Sequence, residues 1–251
     1  MTSTASTDSM QALSPLTQQR LLGVSTATLT TVLFKRGLRN TFLQGPRPVG
    51  AAQRFAGPAY TLRYIPARED LDPLSVFEDP AHPQRVAVEA CPAGHVLVID
   101  SRGDASAASA GGLLVARLAQ RGCAGVVTDG GFRDSPDIAQ LPIPAYHLRP
   151  SAPTNLIRHH AADVQMPIGC GGVAVYPGDV MVGDGEGVVC IPRAIADAVA
   201  AEAAEQTVYE DWVAERIAGG AALPGLYPLT DPGERERFAA HKASRTSAGP
   251  V

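Results

Sequence analysis

The chain has 251 residues, 45% of them hydrophobic and 18% charged, with a formal net charge of −4, the proportions of one ordinary globular domain. No window approaches the ~18 uninterrupted apolar residues of a membrane-spanning helix, no signal sequence opens the chain, and the acidic balance leaves no electrostatic footprint for nucleic acid. The expectation is a soluble, cytoplasmic protein with neither membrane nor nucleic-acid partners.

In chain order, residues 1–13 are Ser/Thr-rich and read as a flexible leader, 14–230 as a single domain, and 231–251 as a weakly ordered tail. Ser14 followed by Pro15 predicts a cap and first turn, and Leu21, Leu22, Leu29, Val32 and Leu33 supply the apolar faces of two short helices broken near Gly23 to Ser25. Ala56 to Ile65 alternates like a strand. A long polar excursion, Pro66 to Gln84, follows; a loop of that length in a compact domain reads as a lid or an oligomer contact.

The middle of the chain carries a βαβ pattern. His95 to Asp100 and Ala124 to Thr128 are short buried strands, and between them Gly111 to Gln120 places Leu113, Leu114, Val115 and Leu118 at helical spacing. Such units are right-handed and parallel, so the loops 101–110 and 129–134 open at the same sheet edge, where α/β proteins bind ligands. Ala145 to Leu148 is the third strand. Beyond it, Val173 to Tyr176, Val180 to Val182 and Val188 to Ile191 are separated by turns in the manner of β-hairpins, and Pro192 opens an alanine-rich helix from Arg193 to about Ala218.

Glycine (25) and proline (21) are dispersed between apolar runs, which predicts sharp turns between short elements. Cys91, Cys123, Cys170 and Cys190 stand singly among apolar residues without CxxC spacing and read as buried thiols. His159-His160 reads as a surface pair, and GDGEG at 183–187 as a hairpin turn.

One loop combines residues with chemical potential. In Asp129-Gly130-Gly131-Phe132-Arg133-Asp134, two glycines allow a tight turn, Arg133 offers a fork for a carboxylate, and Asp134 offers a hard oxygen ligand. A turn bearing an exposed ion pair is the plainer reading of the same residues. Gly111 and Gly112 open the helix of the same unit, where the first backbone N–H groups attract anions. If Arg133 converges on Gly111, Gly112, Leu113 and Leu114, a small 2-oxo acid is held by its carboxylate while its keto oxygen reaches a cation on Asp134, the layout of a metal-assisted enolate reaction.

The run GGLLVARLAQRGCAGVVTDGGFRD (111–134), with FAGPAYTL (55–62), CPAGHVLVID (91–100) and VYPGDVMVGDGEGVVCIPRAIA (175–196), resembles the RraA-like family over roughly residues 15–230. That family includes 4-hydroxy-4-methyl-2-oxoglutarate/4-carboxy-4-hydroxy-2-oxoadipate aldolases and regulators of ribonuclease E activity. The resemblance implies an α/β fold of the β/β/α swivelling phosphohistidine-domain type, with N-terminal helices and a C-terminal helix, assembled as homotrimers or homohexamers with active sites between subunits. It also implies a class II pyruvate-aldolase lyase using Mg²⁺ or Mn²⁺, with oxaloacetate decarboxylation as a side activity. By the same resemblance Arg133 is the pyruvate-binding arginine, Asp134 the metal ligand, and the amides around Leu113 and Leu114 the carboxylate loop.

Gly112 departs from the aldolases, which carry an acid at that position. Asp104 and Asp129 are the nearby carboxylates. A further acid is implied on the neighbouring subunit's C-terminal helix, with Glu210 the nearest match and Glu205 the next. Two other functions stay open: a non-enzymatic binding protein similar to the ribonuclease regulators, and a metal-enolate dehydratase or hydrolase of a sugar-acid-derived 2-oxo acid, whose pocket the 66–84 loop with Arg68, Glu69, Asp70 and Asp72 would shape.

Overall fold

A computed structural model describes residues 11–51 and 54–247. Most of the leader, residues 1–10, and the last residues of the tail, 248–251, lie outside the described residues. The helices are α1 (Pro15–Gly23), α2 (Thr26–Lys35), α3 (Pro83–Ala90), α4 (Gly112–Gln120), α5 (Ser135–Ile138), α6 (Ala196–Ala218) and α7 (Pro232–Ser247). The strands are β1 (Arg47–Pro48), β2 (Phe55–Pro66), β3 (Val96–Asp100), β4 (Ala108–Ala110), β5 (Gly125–Thr128), β6 (Gly131–Phe132) and β7 (Ala145–His147). They continue with β8 (Arg149–Pro150), β9 (His159–Val164), β10 (Ile168–Cys170), β11 (Val173–Val175), β12 (Val180–Gly183) and β13 (Val188–Ile191).

The N-terminal helices form where their caps predict. The Ser14 side chain accepts the Thr17 N–H at 3.1 Å with Pro15 in the first turn, and the Ser25 side chain accepts the Thr28 N–H at 3.0 Å. Both pack with α6 over β12 and β13, through Leu21, Leu29, Val32, Leu33, Val199 and Ala203.

The main sheet runs β1-β7-β5-β3-β2-β12-β13, with β9 paired to β2. Its centre, β2, β3, β5 and β7, is parallel, as the βαβ reading requires. Strand β3 shows why its sequence is an unbroken apolar run. Leu97 and Ile99 join a core with α3 and α4, whereas Val96 and Val98 join the core under the β10–β11 hairpin. Successive side chains point to opposite faces, so a strand covered on both faces has no polar positions. All four cysteines are buried and free, as expected.

Two expectations are corrected. The segments 173–191 do not make one hairpin series: β12 and β13 pair with each other, but β11 pairs with β10 in a separate two-stranded sheet. His159 and His160 are not a surface pair. Both lie in β9, antiparallel to β2, where alternation buries His159 completely against Tyr64, with ring centroids 5.3 Å apart. His160 Nδ1 lies 2.8 Å from Asp72 Oδ1. Beyond α6, α7 spans Pro232–Ser247. Asp231 Oδ1 caps it by accepting the Glu234 N–H at 2.9 Å, Phe238 packs on Trp212 and Tyr209, and Arg216 pairs with Glu234 at 2.8 Å.

Candidate active site

Two short strands that lie within the predicted loops build the site. Strands β4 and β6 pair in parallel, with Ala110 opposite Phe132, and β8 extends the pair into a three-stranded sheet. The residues next in chain order on each strand are therefore neighbours: Gly111 beside Arg133 and Gly112 beside Asp134. The Arg133 N–H donates to the Ala110 carbonyl at 3.1 Å, and the Gly112 N–H donates to Asp134 Oδ2 at 3.1 Å. Arg133 Nε lies 3.6 Å from Asp134 Oδ2, a loose ion pair longer than a hydrogen bond. Both side chains are about half exposed, which leaves the guanidinium open to an incoming carboxylate.

The glycines act differently from the expectation. Neither Gly130 nor Gly131 has a positive φ; the left-handed residue of this loop is Asp134, at φ 58° and ψ 34°. Aspartate tolerates that region better than most residues do. Asp134 precedes α5 without capping it through its side chain, and its carboxylate turns to Gly112 instead. The glycines serve close approach. A Cβ on Gly111 would lie 2.8 Å from Arg133 Cγ, and one on Gly130 would lie 2.4 Å from Ser109 Oγ.

The amides of residues 112–114 are not all free. The Gly112 N–H is engaged by Asp134, and the Leu114 N–H donates to the Gly111 carbonyl at 3.1 Å. The Leu113 N–H is left to meet an anion, because Gly111 has no side chain with which to cap it.

Arg133, Asp134, Gly111, Leu113 and Leu114 line one cavity of about 260 Å³. Its remaining walls come in part from the polar excursion and in part from residues that no motif singled out. Phe77 belongs to a 3-10 turn at Leu74–Glu78 within the polar excursion, Gln84 and Arg85 to α3, and Thr154 and Asn155 to the segment before β9. Pro83 at a helix start was the legible signal for α3; Asn155 carried none. The excursion thus supplies Phe77 and its last residue, Gln84, and not Arg68, Glu69, Asp70 or Asp72. Arg68 pairs with Asp70 at the surface, while Asp72 is held by His160 and the Arg68 N–H.

The other candidate carboxylates are engaged elsewhere. Asp129 is buried and accepts N–H groups from Ser101, Gly103 and Gly171 at 2.7, 3.0 and 3.3 Å; burial raises its pKa against those hydrogen bonds. Asp104 accepts from the Ser106 N–H and hydroxyl, which lower its pKa. Neither lines the cavity. Glu210 accepts Thr28 Oγ1 at 2.7 Å and Gln206 Nε2 at 2.9 Å between α2 and α6, so within one chain it does not join Arg133 and Asp134. Glu205 is exposed on α6.

His147 anchors the loop from below. It is buried against Phe132, and its Nδ1 accepts the Phe132 N–H at 3.3 Å. That hydrogen bond needs a neutral ring, and burial pushes the pKa down to about 4 from 6.5. A depressed histidine pKa means that the unfolded chain binds the proton first. Stability is therefore full above pH 6.5 and falls as pH drops toward 4, by about 2–3 kcal/mol from this group. Urea midpoints between pH 7 and 4 should fall less steeply for His147→Asn, which keeps an acceptor but does not titrate; equal slopes would discount the assignment.

A parallel α/β sheet that sets an Arg–Asp pair against a glycine-started helix defines a class of small-anion sites at sheet edges. The chain belongs to the RraA-like family: the family model described as Aldolase/RraA matches residues 26–190. A "Putative 4-hydroxy-4-methyl-2-oxoglutarate aldolase" of Halalkalibacterium halodurans is 33% identical over 147 residues, 59% of this chain and 64% of its own length. This chain thus spans less than two-thirds of that relative. A protein of the same name from Burkholderia mallei is 34% identical over 143 residues, 57% of this chain and 78% of its own. Streptomyces coelicolor RraAS2, described as an unusual member of the RNase ES inhibitor RraA protein family, superposes with a TM-score of 0.71 at 28% identity. That match covers 80% of this chain and 97% of RraAS2. A Pseudomonas syringae protein shares the fold, with a TM-score of 0.73 at 23% identity over 86% of this chain and 98% of its own. The α/β architecture with helices at both ends is that of the RraAS2 structure. Among the described residues, no helix is long and apolar enough to cross a membrane.

Proposed function

We propose that the chain is a divalent-cation-assisted carbon–carbon lyase of the class II pyruvate-aldolase type. It cleaves a small 4-hydroxy-2-oxo acid to pyruvate, with oxaloacetate decarboxylation as a side activity. The observation that carries this reading is the β4–β6 register, which sets Gly111 and Gly112 against Arg133 and Asp134 at one cavity. Arg133 forks onto the substrate carboxylate, and the Leu113 N–H adds a donor at the positive end of α4. In the cleavage the C3–C4 bond breaks and its electron pair moves to C3 as the enolate of pyruvate. The C4 hydroxyl gives up its proton as it becomes a carbonyl, and C3 takes a proton from water.

The donor set discriminates among cations. Among the described residues, no group of three or more His, Cys, Asp or Glu side chains could hold a metal ion, so within this chain Asp134 is the lone carboxylate of the site. A single carboxylate fits Mg²⁺ or Mn²⁺, which keep most of their waters. Asp134 would hold the ion, which supplies Lewis-acid polarisation of the keto oxygen.

The site is open on one side. Leu113, which lines the cavity, is 89% exposed, an apolar side chain suited to contact with a second copy of the chain in a homotrimer or homohexamer. Glu210 of the partner subunit would then be the acid completing the site. Pyruvate release from 4-hydroxy-4-methyl-2-oxoglutarate and from oxaloacetate, followed with Mg²⁺, with Mn²⁺ and with chelator, tests the reading. Turnover indifferent to chelator overturns it.

A second reading is favoured by the likeness to RraAS2 and by the neutral Gly112: a binding protein that regulates a ribonuclease. Capture of a ribonuclease, with no heat of Mg²⁺ or Mn²⁺ binding by calorimetry, would support it over the lyase.

A further inference from the structure

Helices α3 and α4 end side by side, and each is followed closely by a cysteine. Cys91 caps the end of α3, with its N–H donating to the Ala87 carbonyl at 3.2 Å. Cys123 follows α4 through Arg121 and Gly122, with its N–H donating to the Leu118 carbonyl at 3.1 Å. The two stand just ahead of β3 and β5, which pair in parallel, so they meet in space. Cys123 Sγ lies 3.7 Å from the Cys91 carbonyl oxygen and 3.8 Å from that of Pro92, and the two thiols are hydrogen-bonded to each other.

The other two cysteines lack this arrangement. Cys170 Sγ is 3.7 Å from the Ile99 carbonyl, and Cys190 Sγ is 3.9 Å from the Ala174 carbonyl and 3.8 Å from Asp179 Oδ2. Burial and nearby carboxylates push both of those thiols up. Beside Cys91 and Cys123 stands a cation instead. Arg121 Nη2 donates to the Cys91 carbonyl at 3.4 Å, and the buried Arg121 Nε has no acceptor among the described residues. The hydrogen bond from Cys91, helped by the Arg121 charge, holds the Cys123 thiol below its ordinary value against burial, while Cys91, the donor, is pushed up. Cys123 is also the more open of the two, at 8% exposed against 0% for Cys91. The thiolate is the form that meets oxidants. Cys123 therefore has the character of the attacking sulfur, and Cys91 that of the resolving one.

We propose that Cys91 and Cys123 form a reversible oxidation site, a dithiol that a hydroperoxide converts to a disulfide tying the end of α3 to the segment between α4 and β5. With hydrogen peroxide, the Cys123 sulfur attacks one oxygen and the O–O bond breaks. The products are a sulfenic acid on Cys123 and one water, which takes the Cys123 proton. The Cys91 sulfur then attacks the Cys123 sulfur, the S–O bond breaks, and a second water leaves with the Cys91 proton. Two electrons pass from the sulfurs to the peroxide. A small dithiol reverses the step by thiol–disulfide exchange. The loop closed by this bond, residues 91–123, holds β3, β4 and α4, the elements that carry Gly111 and Gly112 to the cavity. The site needs neither a cation nor a 2-oxo acid, so it stands apart from the lyase reading.

Mass spectrometry with thiol mapping of the full chain tests this. The wild-type protein is treated with hydrogen peroxide under native conditions, then denatured and alkylated. It should weigh two hydrogen atoms less than the untreated chain and yield one linked pair of peptides, carrying Cys91 and Cys123, while Cys170 and Cys190 are alkylated. Dithiothreitol should return all four thiols to the alkylatable form. Cys91→Ser should stop at the sulfenic acid on Cys123, which dimedone traps, whereas Cys123→Ser should leave Cys91 reduced at the same dose. The deciding measurement is on the wild-type chain and does not depend on either variant folding. Four alkylatable cysteines after treatment, a linkage that includes Cys170 or Cys190, or equal oxidation of Cys91 in Cys123→Ser overturns the proposal.

Discussion

Asp134→Ala and Arg133→Ala are each expected to lower pyruvate release by on the order of 10²–10³-fold, with different kinetic signatures. Among the described residues Asp134 is the one acidic side chain lining the cavity; as the proposed cation ligand, its loss should fall on kcat, and excess Mg²⁺ should not restore it. On the proposed reading Arg133 takes the substrate carboxylate, so its loss falls mainly on KM. Arg133→Lys should recover only part of the activity, because an ammonium cannot present two parallel donors. The Asp134 variant carries an internal control. Its carboxylate also accepts the Gly112 N–H, and Asp134→Asn keeps that acceptor while removing the charge. Steady-state kinetics on purified Asp134→Asn should match Asp134→Ala; near wild-type turnover in the asparagine variant would mean that the carboxylate only shapes the loop.

Gly130→Ala is expected to cost about 3 kcal/mol of stability, at the upper end for overpacking a core. The new Cβ would meet Ser109 Oγ at 2.4 Å, Ser101 Cβ at 2.6 Å and Ser101 Oγ at 2.7 Å. These atoms cannot retreat cheaply. Ser101, Ser109 and Thr128 share a buried set of hydroxyl contacts at 2.7–3.2 Å, and Thr128 Oγ1 also accepts the Gly130 N–H at 3.0 Å. Relief comes only by moving β6 away from β4, which separates Arg133 from Gly111 as well. Calorimetric melting should drop by about 6–12 °C for a chain of this size. Gly23→Ala, where an added Cβ meets nothing within 4 Å, serves as the comparison; equal melting of the two variants would remove the packing argument.

Local chemistry was well expressed in the sequence. Ser14 and Ser25 cap helices because their side chains reach the N–H three residues on, and β3 reads as an apolar run because both its faces are covered. The Asp231-Pro232-Gly233-Glu234 start of α7 was equally local and went unread; its cap and Pro at the helix start are visible in the chain. Arg133 and Asp134 stood out by residue type, next to glycines whose purpose was misjudged. A glycine that permits a turn and one that permits a close approach look identical until the neighbour is known, and at Gly130 that neighbour is Ser109, 21 residues away.

By itself, then, the chain determined α1, α2, α4 and α6, the apolar strand segments and the Arg–Asp pair, since each is written in residues within a turn or two of one another. Only the tertiary structure decided what faces that pair. The register of β4 on β6 sets Gly111 beside Arg133, the pairing of β9 with β2 buries His159, and the packing of α3 and the 155–157 turn brings Arg85 and Asn155 to the same cavity. Those contacts join residues about 20 to 100 positions apart, and their partners are selected by the burial of whole elements, which leaves no periodic trace along the chain.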